Sequence, residues 1–124
     1  MNELEKMIGG EFYDPSDPLL AKMRMRAHYS CLIYNQLLPG ATRRRNRILD
    51  ELFPDHGLYI QGPLQVDYGS NVHFGKDVYA NFNFTILDIC PVTIGDNVYI
   101  GPNVSLYGAL HPLDPNERRS YKNS

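Results

Sequence analysis

Ile94-Gly95-Asp96-Asn97-Val98 is followed by Ile100-Gly101-Pro102-Asn103-Val104, a near copy displaced by six residues. The same step runs outward from this pair. Towards the N-terminus, aliphatic or aromatic residues fall at Ile60, Val66, Val72, Val78 and Phe84, again six apart. After a slip of two residues the phase resumes at Val92 and continues through Val98, Val104 and Leu110. Two places after most of these comes a second apolar or small residue: Phe74, Ala80, Ile86, Ile94, Ile100 and Leu106. Glycine or a polar turn residue then follows, as at Gly75, Gly95 and Gly101.

A six-residue period is neither helical nor simple strand alternation. It suits a coil of short flat strands separated by turns, with the phase residue pointing inward. Three hexads close one triangular turn of a parallel β-helix, so the hexads here make about three coils. Asn71, Asn83, Asn97 and Asn103, with Asp77, Asp96 and Asp114, read as corner residues, where left-handed backbone angles are tolerated. The alternative is an ordinary β-sandwich with accidental spacing.

Before residue 57 the chain has another character. Residues 1–56 carry helix punctuation, and residues 57–124 carry most of the glycines. Asn2–Ile8 reads as a short helix ended by Gly9-Gly10. Asp17-Pro18 starts a longer one, because Asp caps free N–H groups and Pro is tolerated in the first turn. It runs to about Leu38, where Pro39-Gly40 stops it. Leu20, Met23, Ala27, Cys31, Tyr34 and Leu38 form its apolar stripe. Thr42 is expected to cap a third helix of about Arg43–Phe53, with Ile48, Leu49, Leu52 and Phe53 buried. The division is thus a helical segment, 1–56, and an incomplete β-helix, 57–124.

Composition narrows the function classes. Twelve Lys+Arg against fourteen Asp+Glu give a net charge of -2 in 124 residues, which disfavours a general nucleic-acid binder. The run Arg43-Arg44-Arg45-Asn46-Arg47 reads as a solvated helix face. No window approaches the apolar length of a membrane span, and the polar N-terminus does not read as a signal peptide. Cys31 and Cys90 have no metal-type spacing and fit a reducing cytoplasm; Cys90 reads as packing. His28, His56 and His73 show no ligand spacing, and no metal site is expected.

The ordered set Tyr79-Ala80-Asn81-Phe82-Asn83, Leu87-Asp88-Ile89-Cys90-Pro91 and His111-Pro112-Leu113-Asp114-Pro115 resembles the hexapeptide-repeat O-acetyltransferases, and within them the maltose and galactoside acetyltransferases and nodulation acetyltransferases. Glu5-Lys6-Met7-Ile8-Gly9-Gly10-Glu11-Phe12-Tyr13 is similar to the start of that family's helical domain, and Asp67-Tyr68-Gly69-Ser70-Asn71 belongs to the same likeness. The resemblance implies a left-handed β-helix, a homotrimer, acetyl-CoA as donor and a sugar hydroxyl as acceptor. It also implies several further coils, which carry most coenzyme-A contacts in the family. A C-terminal truncation is therefore expected here. Two readings stay open: a sugar O-acetyltransferase, or a non-catalytic trimeric scaffold lacking donor-binding coils.

Acetyl transfer from a thioester to a hydroxyl needs a proton acceptor, oxyanion stabilisation and juxtaposed substrates. Imidazole accepts a proton near neutrality. By type alone His111 is a surface histidine beside a proline; the resemblance makes it the general base. Asn81 matches the family position that stabilises the transition state and contacts the donor, its amide donating without adding charge. Asp67 aligns with an acceptor-contacting position that is serine in galactoside enzymes. Asp88 aligns, within one residue, with an acidic pair in them. Arg24 and Asp14 wall the acceptor pocket in the family manner, or are solvated charges. Tyr79 packs against the sugar, or is a plain outward strand residue.

Overall fold

Alternate apolar positions within a hexad put both side chains on one face of an extended strand. The structure, a computed structural model, describes residues 1–53 and 57–108. Among these the hexads form eight short strands: β1 (Leu58–Ile60), β2 (Leu64–Val66), β3 (Val72–Phe74), β4 (Val78–Ala80), β5 (Phe84–Leu87), β6 (Val92–Ile94), β7 (Tyr99–Ile100) and β8 (Ser105–Tyr107). All pairing is parallel, in the orders β1-β4-β7, β2-β5-β8 and β3-β6. The three faces enclose a left-handed parallel β-helix. Its interior holds Val66, Val72, Val78, Phe84, Ile86 and Ile100, with Val92, Val98 and Val104 packed against them. A fully buried side chain such as Phe84 or Ile86 contributes about 1.5–3 kcal/mol.

The pairing corrects the phase of the first coil. Leu58 lies beside Val78, Leu64 beside Phe84 and Val72 beside Val92, each pair twenty residues apart. A coil is therefore three hexads plus two residues, and the slip falls at the same corner in both coils whose three sides are described. Ile60 and Val66, expected level with Val78 and Phe84, stand level with Ala80 and Ile86. Both remain buried, because alternate residues of a strand share a face.

The narrow corners turn through left-handed residues. Asp77, Asn83, Asn97 and Asn103 have φ of 56–59°, and Asn83 Nδ2 donates to Asn103 Oδ1 of the coil above at 2.9 Å. Gly75 meets its counterpart so closely that a Cβ there would lie 2.6 Å from the carbonyl carbon of Gly95. The wide corner, residues 67–71 stacked on 88–91, is built differently. Asp88 is fully buried in it, and its Oδ1 and Oδ2 accept the N–H groups of Tyr68 (2.9 Å) and Asn71 (3.2 Å). Asn71, read as an ordinary turn residue, is buried and donates its amide to the Asp88 carbonyl at 2.7 Å.

Three helices precede the strands: α1 (Glu3–Ile8), α2 (Pro18–Gln36) and α3 (Thr42–Leu52). Asn2 caps α1 and Asp17 caps α2, accepting the N–H groups of Leu19 and Leu20. α3 departs from expectation: its N-cap is Ala41, without a side-chain bond, and Thr42 is already helical. α2 stops at Gln36, leaving Leu38 76% exposed instead of on the buried stripe.

The helices close the open edge of the first coil, which would otherwise present unpaired backbone groups. Asn35 mimics a neighbouring strand, its amide accepting Leu64 N–H at 2.7 Å and donating to Leu64 C=O at 2.9 Å. The Tyr34 hydroxyl donates to the Ile60 carbonyl. Arg45, expected among solvated arginines, is 5% exposed; it donates to the carbonyls of Ile60 and Gln61 and to the Tyr34 hydroxyl. Its guanidinium lies 4.6 Å from the Tyr34 ring centroid.

Candidate active site

α2 lies along β2 and the wide corner in a regular register. Asn35 bonds Leu64, Cys31 bonds the Val66 backbone, and Arg24 Nη1 donates to the Tyr68 hydroxyl at 2.8 Å. Each step down the helix is a step up the strand. Burial pushes the Cys31 thiol up to about 11, so it serves packing and not nucleophilic chemistry. Cys90 is likewise buried and raised by desolvation, with Sγ donating to the Met7 carbonyl at 3.4 Å.

This register brings Asp67 beneath α2. Its Oδ2 is buried and has no hydrogen-bond partner. Burial pushes the carboxyl above its ordinary value; His28 first, and then Arg24, pull it back. Arg24 is fixed from the other side, where Nη2 donates to the Pro15 carbonyl at 2.8 Å. Asp14 stands in that same loop, its carboxylate accepting the N–H (2.9 Å) and hydroxyl (2.6 Å) of Ser16, which hold it low. Tyr13 joins the group: burial raises its phenol, Tyr68 and Asp67 add to the rise, and Arg24 opposes it. Asp14, Arg24 and Asp67 thus gather at one corner, with Asp88 directly beneath. Burial raises the Asp88 carboxyl while the N–H groups of Tyr68 and Asn71 lower it. Both its oxygens are engaged in holding the corner together, so it supports the site from below.

Tyr79 and Asn81 lie elsewhere. Tyr79 is sandwiched between Tyr59 and Tyr99, with ring centroids 5.4 Å apart on each side. Both faces of its ring are taken, which removes the expected face for a sugar and leaves it an outward member of an aromatic ladder. Asn81 follows β4 at the next corner, where Nδ2 donates to the Tyr99 hydroxyl at 2.8 Å and Oδ1 accepts Phe82 N–H at 2.7 Å. The face β2-β5-β8 separates this corner from Asp67. His111 lies outside the described residues. Among the described residues no three His, Cys, Asp or Glu side chains stand together as a metal site, and no helix is long and apolar enough to cross a membrane.

The segment that closes the first coil is the part a family model recognises: residues 6–57 match the maltose acetyltransferase hexapeptide capping motif. A Dictyostelium discoideum protein named as an acetyltransferase is 45% identical, the match covering 97% of this chain and 63% of that protein. The fold superposes on the crystal structure of a maltose O-acetyltransferase from Clostridium difficile 630, with a TM-score of 0.83, 38% identity, and coverage of 97% of this chain and 65% of that one. The chain belongs to the hexapeptide-repeat acetyltransferases. Another member, a galactoside acetyltransferase solved in complex with coenzyme A, gives a TM-score of 0.81 at 34% identity, covering 97% and 61%. The chain therefore spans between 61% and 65% of the length of these relatives.

In this acetyltransferase-family chain the residues that motif reading overlooked are His28, Tyr13 and Tyr68. A signal for His28 existed: it stands one helical turn after Arg24, so the two share a face of α2.

Proposed function

We propose that this chain serves the transfer of an acetyl group from acetyl-CoA to a hydroxyl of a neutral sugar, by direct attack within a ternary complex. The observation that carries the reading is Asp67, whose buried Oδ2 lacks a partner at a corner flanked by Arg24 and Asp14. A buried acceptor without a donor is costly, and a sugar hydroxyl would supply the missing hydrogen. The names of the maltose and galactoside relatives support such an acceptor, and the coenzyme A complex supports the donor.

In this mechanism a hydroxyl gives its proton to the imidazole of His111 as its oxygen attacks the thioester carbonyl. The amide of Asn81 stabilises the resulting oxyanion. Collapse expels the thiolate of coenzyme A, which takes the proton back from the imidazolium. Asp67 and Arg24 orient the sugar, with Asp14 at the mouth of the pocket.

The arrangement favours a homotrimer. Asn81 and Asp67 occupy different corners of one chain, six residues apart around the coil, up to about 20 Å. A neighbouring copy would bring its own Asn81 corner to this Asp67 corner. The α2 face beside Arg24 supports such contact, since Met25, Tyr29 and Leu32 are 73%, 63% and 55% exposed. The unpaired thiols Cys31 and Cys90 are consistent with work in the cytoplasm.

The test is release of free coenzyme A thiol from acetyl-CoA, followed over maltose, glucose and a simple galactoside. Sugar-dependent release supports the reading. Transfer to amines only would overturn it.

A further inference from the structure

Asp67 has an unpartnered oxygen, and a side chain of α2 faces its carboxyl. The register of α2 on the first coil identifies that side chain. Asn35 meets Leu64, Cys31 meets Val66 and Arg24 meets Tyr68. Between Cys31 and Arg24 on the helix stand Ala27, buried and apolar, and His28, the one of the two that carries hydrogen-bonding groups; between Val66 and Tyr68 on the strand stands Asp67. Of the two side chains that pull the Asp67 carboxyl back down, His28 acts more strongly than Arg24.

The two differ in freedom. Arg24 is committed to the Tyr68 hydroxyl and the Pro15 carbonyl. His28 is exposed and makes no hydrogen bond among the described residues. Both line the surface hollow along α2, with Met25, Tyr29 and Leu32 around them.

We propose that His28 is an acceptor-selecting residue, pairing with Asp67 across a single sugar hydroxyl. A hydroxyl carries one donor and two acceptor positions. Its O–H is donated to Asp67 Oδ2, and its oxygen accepts from the ring N–H of His28. The pair selects by charge. Asp67 disfavours an anionic sugar such as a uronate, and Arg24 disfavours an ammonium group such as that of an amino sugar. A neutral polyol satisfies all three. This assignment rests on the acceptor reading of the Asp67 corner.

The experiment is steady-state acetyl transfer by the full chain with glucose, glucosamine and glucuronate as acceptors, alongside direct binding of glucose followed by NMR without donor. His28 lies on the surface, so His28→Leu leaves the core untouched. It should raise the glucose KM and weaken glucose binding about tenfold, the effect of losing one hydrogen bond of about 1.4 kcal/mol, with kcat and coenzyme A binding unchanged. His28→Asn, which keeps a donor, should recover most of the loss. In an Asp67→Ala background, His28→Leu should have little further effect, because the bridge is already broken. Equal glucose KM in wild type and His28→Leu, or fully additive losses in the double variant, overturns the assignment alone. If the wild-type chain neither binds nor acetylates glucose but takes one of the charged analogues, the pairing and the neutral-sugar reading fall together.

Discussion

The carboxylate of Asp88 accepts the backbone N–H of Tyr68 in the adjacent coil at 2.9 Å, while its second oxygen accepts Asn71 N–H. One buried side chain therefore holds the corner that carries Asp67. Asp88→Asn replaces an acceptor oxygen by an NH2 group facing another donor. The expected loss is about 1–3 kcal/mol, the penalty for an unsatisfied buried hydrogen-bonding group. Denaturant unfolding measures it, and a change within 0.5 kcal/mol or so would show that the corner does not depend on this residue.

Arg45 should separate from its neighbours in the basic run. It donates to the edge carbonyls of Ile60 and Gln61, whereas Arg43, Arg44 and Arg47 are exposed. Arg45→Ala removes this donor from the Gln61 carbonyl, leaves the Ile60 carbonyl with the Tyr34 hydroxyl alone and removes the packing on Tyr34, which should destabilise by about 2–4 kcal/mol. Arg44→Ala should be neutral within about 0.5 kcal/mol. Thermal unfolding of the two variants side by side decides the matter; equal effects would return Arg45 to the solvated face.

Asp67 links stability to pH. Its folded carboxyl is held above the ordinary value of 3.8, mainly by burial. The folded chain therefore binds this proton more readily than the unfolded chain does. The stabilisation is complete below the ordinary value and is lost as pH rises through the raised one. Asp67→Asn has no charge to bury, so it should be more stable than wild type near pH 7. That advantage should vanish near pH 3, where the wild-type carboxyl is protonated. Unfolding midpoints at the two pH values test this, and an advantage independent of pH would exclude burial of charge as its cause. Acceptor binding should weaken in the same variant.

His111→Ala should reduce turnover by about 10²–10⁴-fold, the usual contribution of a general base. Coenzyme A affinity should stay near wild type, because in the proposed mechanism the imidazole acts on the acceptor hydroxyl. Rates from acetyl-CoA to a sugar, with donor binding measured separately, give both numbers. Turnover close to wild type would remove His111 from the mechanism.

The β-helix was legible because the interior of a narrow coil repeats its demand for apolar side chains at every strand, from Val72 through Val104. The first coil was misphased for a reason in the same geometry. Leu58 and Ile60 both point inward, as do Leu64 and Val66, so a six-residue step can be started on either member of each pair. The pairing of Leu58 with Val78, like that of Leu64 with Phe84, shows that the first coil is twenty residues long. With that length known, the ladder Tyr59, Tyr79 and Tyr99 follows from the sequence, and so does the loss of the Tyr79 ring faces.

Arg45 stood three and four places before Ile48 and Leu49, on their side of α3, yet its charge argued for solvent. Open backbone carbonyls at the coil edge reversed that preference, and nothing local to the helix announces them. The sequence by itself determined the period, the corner residues, the helical cap and the kind of chemistry that the motifs imply. Tertiary structure alone decided that Asp88 faces inward, that Asp67 keeps an oxygen free, and that His28 stands opposite it. Those outcomes depend on which backbone N–H groups and which helix face reach the wide corner. Such distances are set by the stacking of coils and helix, not by spacing along the chain.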